Sequence, residues 1–69
     1  MSIAFGKQLR KLRKEKTDYK QSDMAKLLKI SRSAYTYYEI GKSEPNYDKL
    51  KVLTEILSVD YNTLLGYKN

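Results

Sequence analysis

Apolar side chains recur along this chain at three- and four-residue intervals, and no clear run alternates with a period of two, so the pattern is helical throughout. Phe5, Leu9 and Leu12 fall on one stripe, with Lys7, Lys11 and Lys14 pointing elsewhere, which predicts a first helix over Ile3–Lys16. Arg13 stands four residues after Leu9 and so lies on the apolar stripe, where a charge needs a partner. After a polar break from Thr17 to Lys20, Met24, Ala25 and Leu28 give a short second helix, Gln21–Leu28, its buried face. Lys29 and Ile30 turn the chain, and the Ser31 hydroxyl is suited to cap a third helix from Arg32 to Ile40, which Gly41 stops in the left-handed position after the last turn. Glu44-Pro45 must be extended. Asn46 then caps a fourth helix, Tyr47–Leu57, with Leu50, Leu53 and Leu57 inward, and Asp60 caps a fifth, Tyr61–Leu65, ended by Gly66. Each of these helices is too short to persist alone in water, so they must pack on one another. The expectation is an all-α, compact five-helix bundle forming a single domain over residues 1–69.

The second and third helices are separated by only two or three residues, the spacing of a helix-turn-helix, although tight helix pairs also occur in bundles that bind nothing. The faces of the third helix separate these readings. At 100° per residue, Ala34, Tyr35, Tyr38 and Glu39 share one side and suit a core. Arg32, Ser33, Thr36 and Tyr37 occupy the other, a group of hydrogen-bonding side chains with one ring. Arg bonds guanine O6 and N7 bidentately, Ser and Thr bond base edges, and a Thr methyl meets the thymine methyl. An ordinary solvated helix face carries more Lys and Glu than this one. Glu39 also supplies what Arg13 lacks: both charges lie on inward stripes of helices expected to be neighbours, which predicts a partly buried Arg13–Glu39 ion pair.

Charge adds a direction. The net charge is +6 and the sequence pI near 9.6. Residues 1–42 hold 11 basic and 4 acidic side chains, a net of +7, whereas residues 43–69 net −1. The positive field is therefore concentrated on the first three helices, as suits a face that meets a polyanion. With no Cys and no His there is no disulfide, thiolate or zinc-finger spacing, and no credible general base or metal site, so an enzyme is not expected and no cofactor is implied. No apolar run approaches a membrane span and no small-molecule ligand is suggested, so the expected location is the cytoplasm.

From Phe5-Gly6 through Leu64-Leu65-Gly66 the chain resembles the Cro and phage-repressor (XRE-like, lambda-repressor-like) class of helix-turn-helix domains. The resemblance rests on Leu12-Arg13, Gln21-Ser22-Asp23-Met24-Ala25, Ile30-Ser31-Arg32-Ser33, Tyr38-Glu39-Ile40-Gly41-Lys42, Glu44-Pro45 and Val59-Asp60-Tyr61-Asn62-Thr63-Leu64-Leu65, in that order and spacing. It implies that Arg32, Ser33, Thr36 and Tyr37 read bases, that Gln21 meets a phosphate and a base edge, and that Lys20, Lys42 and Ser43 hold phosphate. It also implies a homodimer, with Tyr61, Leu65 and Tyr67 as a candidate dimer face; Val52 and Ile56 form a second candidate surface. The chain departs from the family pattern at several places. Lys20 stands where Thr or Asn commonly caps the second helix, and Thr54 and Ser58 replace the commoner Ala and Gly. Lys29 replaces the usual turn Gly, implying a left-handed Lys or an altered turn. Tyr35 replaces a smaller aliphatic, which would set the third helix slightly farther from the core.

Together these readings point to a sequence-specific double-stranded DNA-binding transcriptional regulator, a repressor on a two-fold symmetric operator. The residues suit either a whole regulator or the DNA-binding part of a longer repressor. The rival is an interaction module, such as the antitoxin half of a toxin–antitoxin pair, which holds a partner protein as well as DNA. A short end after the fifth helix, with no tail for wrapping a partner, favours the first reading.

Overall fold

A computed structural model describes residues 3–67. Their regular structure is entirely helical: α1 (Ile3–Lys16), α2 (Gln21–Leu28), α3 (Arg32–Ile40), α4 (Tyr47–Leu57) and α5 (Tyr61–Leu65). Local chemistry sets each boundary. The side chains of Ser31, Asn46 and Asp60 accept from the backbone N–H of Ala34, Lys49 and Thr63, capping α3, α4 and α5. Lys20 has no acceptor to offer at the start of α2; instead Asp23 Oδ2 accepts from the Lys20 backbone N–H at 2.9 Å, the returning half of a capping box. Gly41 and Gly66 end α3 and α5 in the left-handed conformation. Lys29 and Ser58 do the same after α2 and α4, with φ of 60° and 56°, where an L side chain is strained. The turn after α2 thus keeps the glycine geometry without the glycine.

Phe5, Leu9 and Leu12 of α1, Met24, Ala25 and Leu28 of α2, Tyr35 and Tyr38 of α3, Leu53 and Leu57 of α4, and Leu64 of α5 form one buried core. Leu50, expected inside, is only half-buried at its margin. Val52 and Ile56, the second candidate surface, are half-buried against the same core, so each divides its side chain between packing and solvent. Polar ties join the elements around this core. Gln8 Nε2 donates to the Thr63 carbonyl at 2.8 Å, pinning α1 to α5, and Lys49 Nζ donates to the Leu28 carbonyl at 2.9 Å, pinning α4 to the end of α2.

The backbones of α1 and α3 approach closely at Gly6. A Cβ at Gly6 would lie 2.3 Å from the Glu39 carbonyl oxygen and 2.7 Å from that of Tyr38, so only glycine fits there. Tyr35, which stands where a smaller aliphatic is usual, is completely buried, its ring 6.1 Å from that of Tyr38 in an edge-on arrangement. The helix is seated by glycine on one neighbour and by a ring in the core.

Candidate nucleic-acid interface

The two sides of α3 have opposite environments. Tyr35, Tyr38 and Glu39 are buried, Ala34 and Thr36 are half-buried, and Arg32, Ser33 and Tyr37 are exposed. A helix whose back is held this firmly presents its other side in a fixed register, which is what reading base edges requires.

The hold is largely polar. Glu39 takes Arg13 bidentately, Nε to Oε2 at 2.7 Å and Nη2 to Oε1 at 3.2 Å, while Arg13 Nη1 donates to the Tyr19 carbonyl at 3.1 Å. The Tyr35 hydroxyl also donates to Glu39 Oε2, and Gln21 Nε2 donates to Oε1 at 3.0 Å. Burial pushes the Glu39 carboxyl up, but hydrogen bonds from Arg13, Tyr35 and Gln21 outweigh it and hold the group below the usual glutamate range. The hydrogen bond to Glu39 raises the Arg13 guanidinium against the opposing effect of burial. Burial, reinforced by the bond to Glu39, raises the Tyr35 phenol far above its ordinary value. All three groups therefore keep one protonation state across the physiological range.

From this buried knot a polar chain runs outward. Gln21 Oε1 accepts from Thr36 Oγ1 at 3.0 Å, so Gln21 lies between the ion pair and the outer side of α3. Its side chain is thus engaged within the protein at both ends, while Lys20, assigned with it to phosphate, is exposed. At the other end of α3, Lys42 and Ser43 fold back so that both backbone N–H groups meet the Tyr37 carbonyl, at 2.9 and 3.3 Å. Lys42 Nζ lies 5.6 Å from the centre of the Tyr37 ring, within reach of a cation–π interaction. A candidate base reader and a candidate phosphate holder are thereby placed side by side. Ser43 is half-buried and Lys42 exposed.

The candidate dimer face is uneven. Tyr67 is 68% exposed and Tyr61 lies at the edge of exposure, whereas Leu65 packs on the core. Tyr61 stacks on Tyr47 with ring centres 6.1 Å apart and planes 16° from parallel, and the neighbouring Tyr47 phenol raises that of Tyr61. Sequence reasoning missed Tyr47 here, because it precedes the inward stripe of α4 and no spacing rule pairs it with a residue 14 positions on. It also missed the role of Gly6. The available signal was a glycine inside an otherwise good helix, which has a conformational cost and so calls for a packing reason.

Comparison with known proteins agrees with this geometry. The family model for helix-turn-helix domains matches residues 9–64. A prophage-derived HTH-type transcriptional regulator of Bacillus subtilis, YonR, is 46% identical over 61 residues, covering 88% of this chain and 56% of its own length, so the chain spans little more than half of that relative. The control protein C.MunI of a Mycoplasma species is 34% identical across 96% of this chain and 89% of its own. Among solved structures, the P22 c2 repressor, determined with a synthetic operator, superposes with a TM-score of 0.81 at 26% identity, over 93% of this chain and 96% of that one. The arrangement of α2 and α3, the matched family model and these relatives agree: the chain belongs to the Cro/C1-type helix-turn-helix family of transcriptional regulators.

Proposed function

We propose that this chain binds double-stranded DNA sequence-specifically and acts as a repressor, with two copies bound to a two-fold symmetric operator and one α3 in each major groove. The observation that carries this reading is the division of α3, with Tyr35, Tyr38 and Glu39 fixed inside, Arg32, Ser33 and Tyr37 exposed, and Thr36 half-buried at their margin. Arg32 and Ser33, at the N-terminal end of the helix, take the base-edge contacts that recognition helices make there. Lys20, Lys42 and Ser43 flank that surface at opposite ends and hold phosphate. The second hydrogen of the Gln21 amide nitrogen remains for phosphate, because a primary amide has two donors and one is given to Glu39. Tyr67, with the stacked Tyr47–Tyr61 pair beside α5, is the apolar surface for the second copy. The place of action is the cytoplasm.

Selection of bound duplexes from a random pool, followed by footprinting, tests the whole proposal. It requires a palindromic motif whose half-sites lie about 34 Å apart along the duplex. A motif without two-fold symmetry would remove the homodimer, and no enrichment over random duplex would remove sequence-specific binding itself.

A further inference from the structure

The polar chain that ends at Thr36 has a direction, and the direction bears on what Thr36 can recognise. An ionised carboxylate has only acceptors to offer. Glu39 is fully occupied as one, taking Arg13, Tyr35 and Gln21. The Gln21 atom facing it at 3.0 Å must therefore be the amide nitrogen, since turning the amide over would set its oxygen against a carboxylate oxygen. That leaves the amide oxygen toward Thr36, an acceptor, so the hydroxyl must supply the proton across their 3.0 Å contact. A threonine hydroxyl has one proton and two lone pairs. On an unconstrained helix face it donates or accepts as the base demands. Here its proton is already placed.

We propose that Gln21 fixes Thr36 as an acceptor-only reader, which selects an exocyclic amino group, adenine N6 or cytosine N4, in the major groove. This rests on the reading of α3 as the recognition helix. In that setting the buried Arg13–Glu39 pair does more than seat the helix: through one amide it sets the hydrogen-bond polarity of a side chain on the opposite, DNA-facing side. Guanine and thymine present only acceptors to that groove, and an oxygen without a proton has nothing to offer them.

The test uses the full chain and its selected duplex, with Thr36→Val locating the base pair. That variant keeps the methyl and the volume and loses only the hydroxyl, so the position at which its selected profile departs from wild type is the one Thr36 reads. Base analogues are then placed there. Purine for adenine, or 2-pyrimidinone for cytosine, deletes the amino group; 7-deazaguanine, or 5-methyl-2-pyrimidinone for thymine, deletes an acceptor. Amino deletion is expected to weaken wild type and Thr36→Ser by roughly 3–10-fold, the worth of one hydrogen bond, and to leave Thr36→Val unchanged. Gln21→Leu, which releases the hydroxyl proton, is expected to reduce that sensitivity while circular dichroism reports a folded protein. The inference is overturned if acceptor deletion is what separates wild type from Thr36→Val, if Thr36→Val alters no position, or if folded Gln21→Leu keeps full sensitivity to amino deletion. Failure of wild type to enrich any sequence would instead defeat sequence-specific binding, and this inference with it.

Discussion

At the scale of single residues, Arg13 was legible because it breaks a rule. A charge on an apolar stripe demands a partner, and Glu39 was the one acidic residue on the facing stripe of α3. In the folded chain the two side chains are 10% and 1% exposed, so removing one partner strands a desolvated charge. Arg13→Met is expected to lower unfolding free energy in urea by roughly 3–5 kcal/mol, a large share of what so small a domain possesses. Adding Glu39→Leu should restore much of the loss, since the stranded carboxylate goes too; a double variant no better than the single one would contradict the pairing. The pH dependence has a definite sign. Glu39 is held below its ordinary value in the folded state, so its contribution is complete above the ordinary glutamate range and is lost as pH falls from that range through the depressed value. Acid titration of stability should therefore be flatter in Glu39→Gln than in wild type over that window. Gly6 was not legible in the same way, because its reason lies 33 positions away in the backbone of α3. Gly→Ala inside a helix ordinarily gains up to about 1 kcal/mol. Gly6→Ala should instead destabilise by about 1–3 kcal/mol, because the added methyl meets backbone that cannot rotate away. Thermal melts decide between the two signs.

At the scale of elements, boundaries were readable because each has a local cause: Ser31, Asn46 and Asp60 cap within three residues of themselves, and Gly41 and Gly66 permit their own positive φ. What spacing does not encode is which side chains meet once helices pack. The chain from Glu39 through Gln21 to Thr36 joins α3 to α2 and back again, and it depends on rotamers chosen in tertiary context. Val52 and Ile56, off the inward stripe of α4, are half-buried against the core for the related reason that the margin of the core reaches past that stripe. The α2–α3 turn shows a sequence departure without a structural one. Lys29 holds φ 60° and ψ 44°, a conformation costing a residue with a Cβ about 1–2 kcal/mol over its usual regions. Lys29→Gly should raise the urea midpoint, with the gain limited to about 1 kcal/mol by the extra freedom of glycine in the unfolded chain. Lys29→Ala should bring no such gain, since alanine keeps the Cβ. Equal stabilisation by both would mean that the lysine charge, rather than the backbone, is the source of strain.

At the scale of the molecule, the charge asymmetry and the division of α3 favour the same kind of partner, a polyanion. The net of +7 over residues 1–42 covers α1, α2, α3 and the turn after them, while the remainder is weakly negative. Affinity for any duplex should then fall steeply with salt, as neutralised phosphates release their counterions. Lys42 is the residue at which two roles compete. As a phosphate contact it should support specific and non-specific binding alike; over the Tyr37 ring it would instead orient a base reader and support only the specific complex. The magnitudes favour the first role. An exposed cation–π contact is worth about 0.5–1 kcal/mol and exists before DNA arrives, so it changes little on binding. A phosphate contact forms only in the complex. Lys42→Ala should accordingly weaken selected and unrelated duplexes by similar factors and reduce the slope of log K against log salt by about 1 per bound copy. If the loss falls on the selected sequence alone, and the salt slope is unchanged, Lys42 acts through Tyr37 and the phosphate must be held by its neighbours.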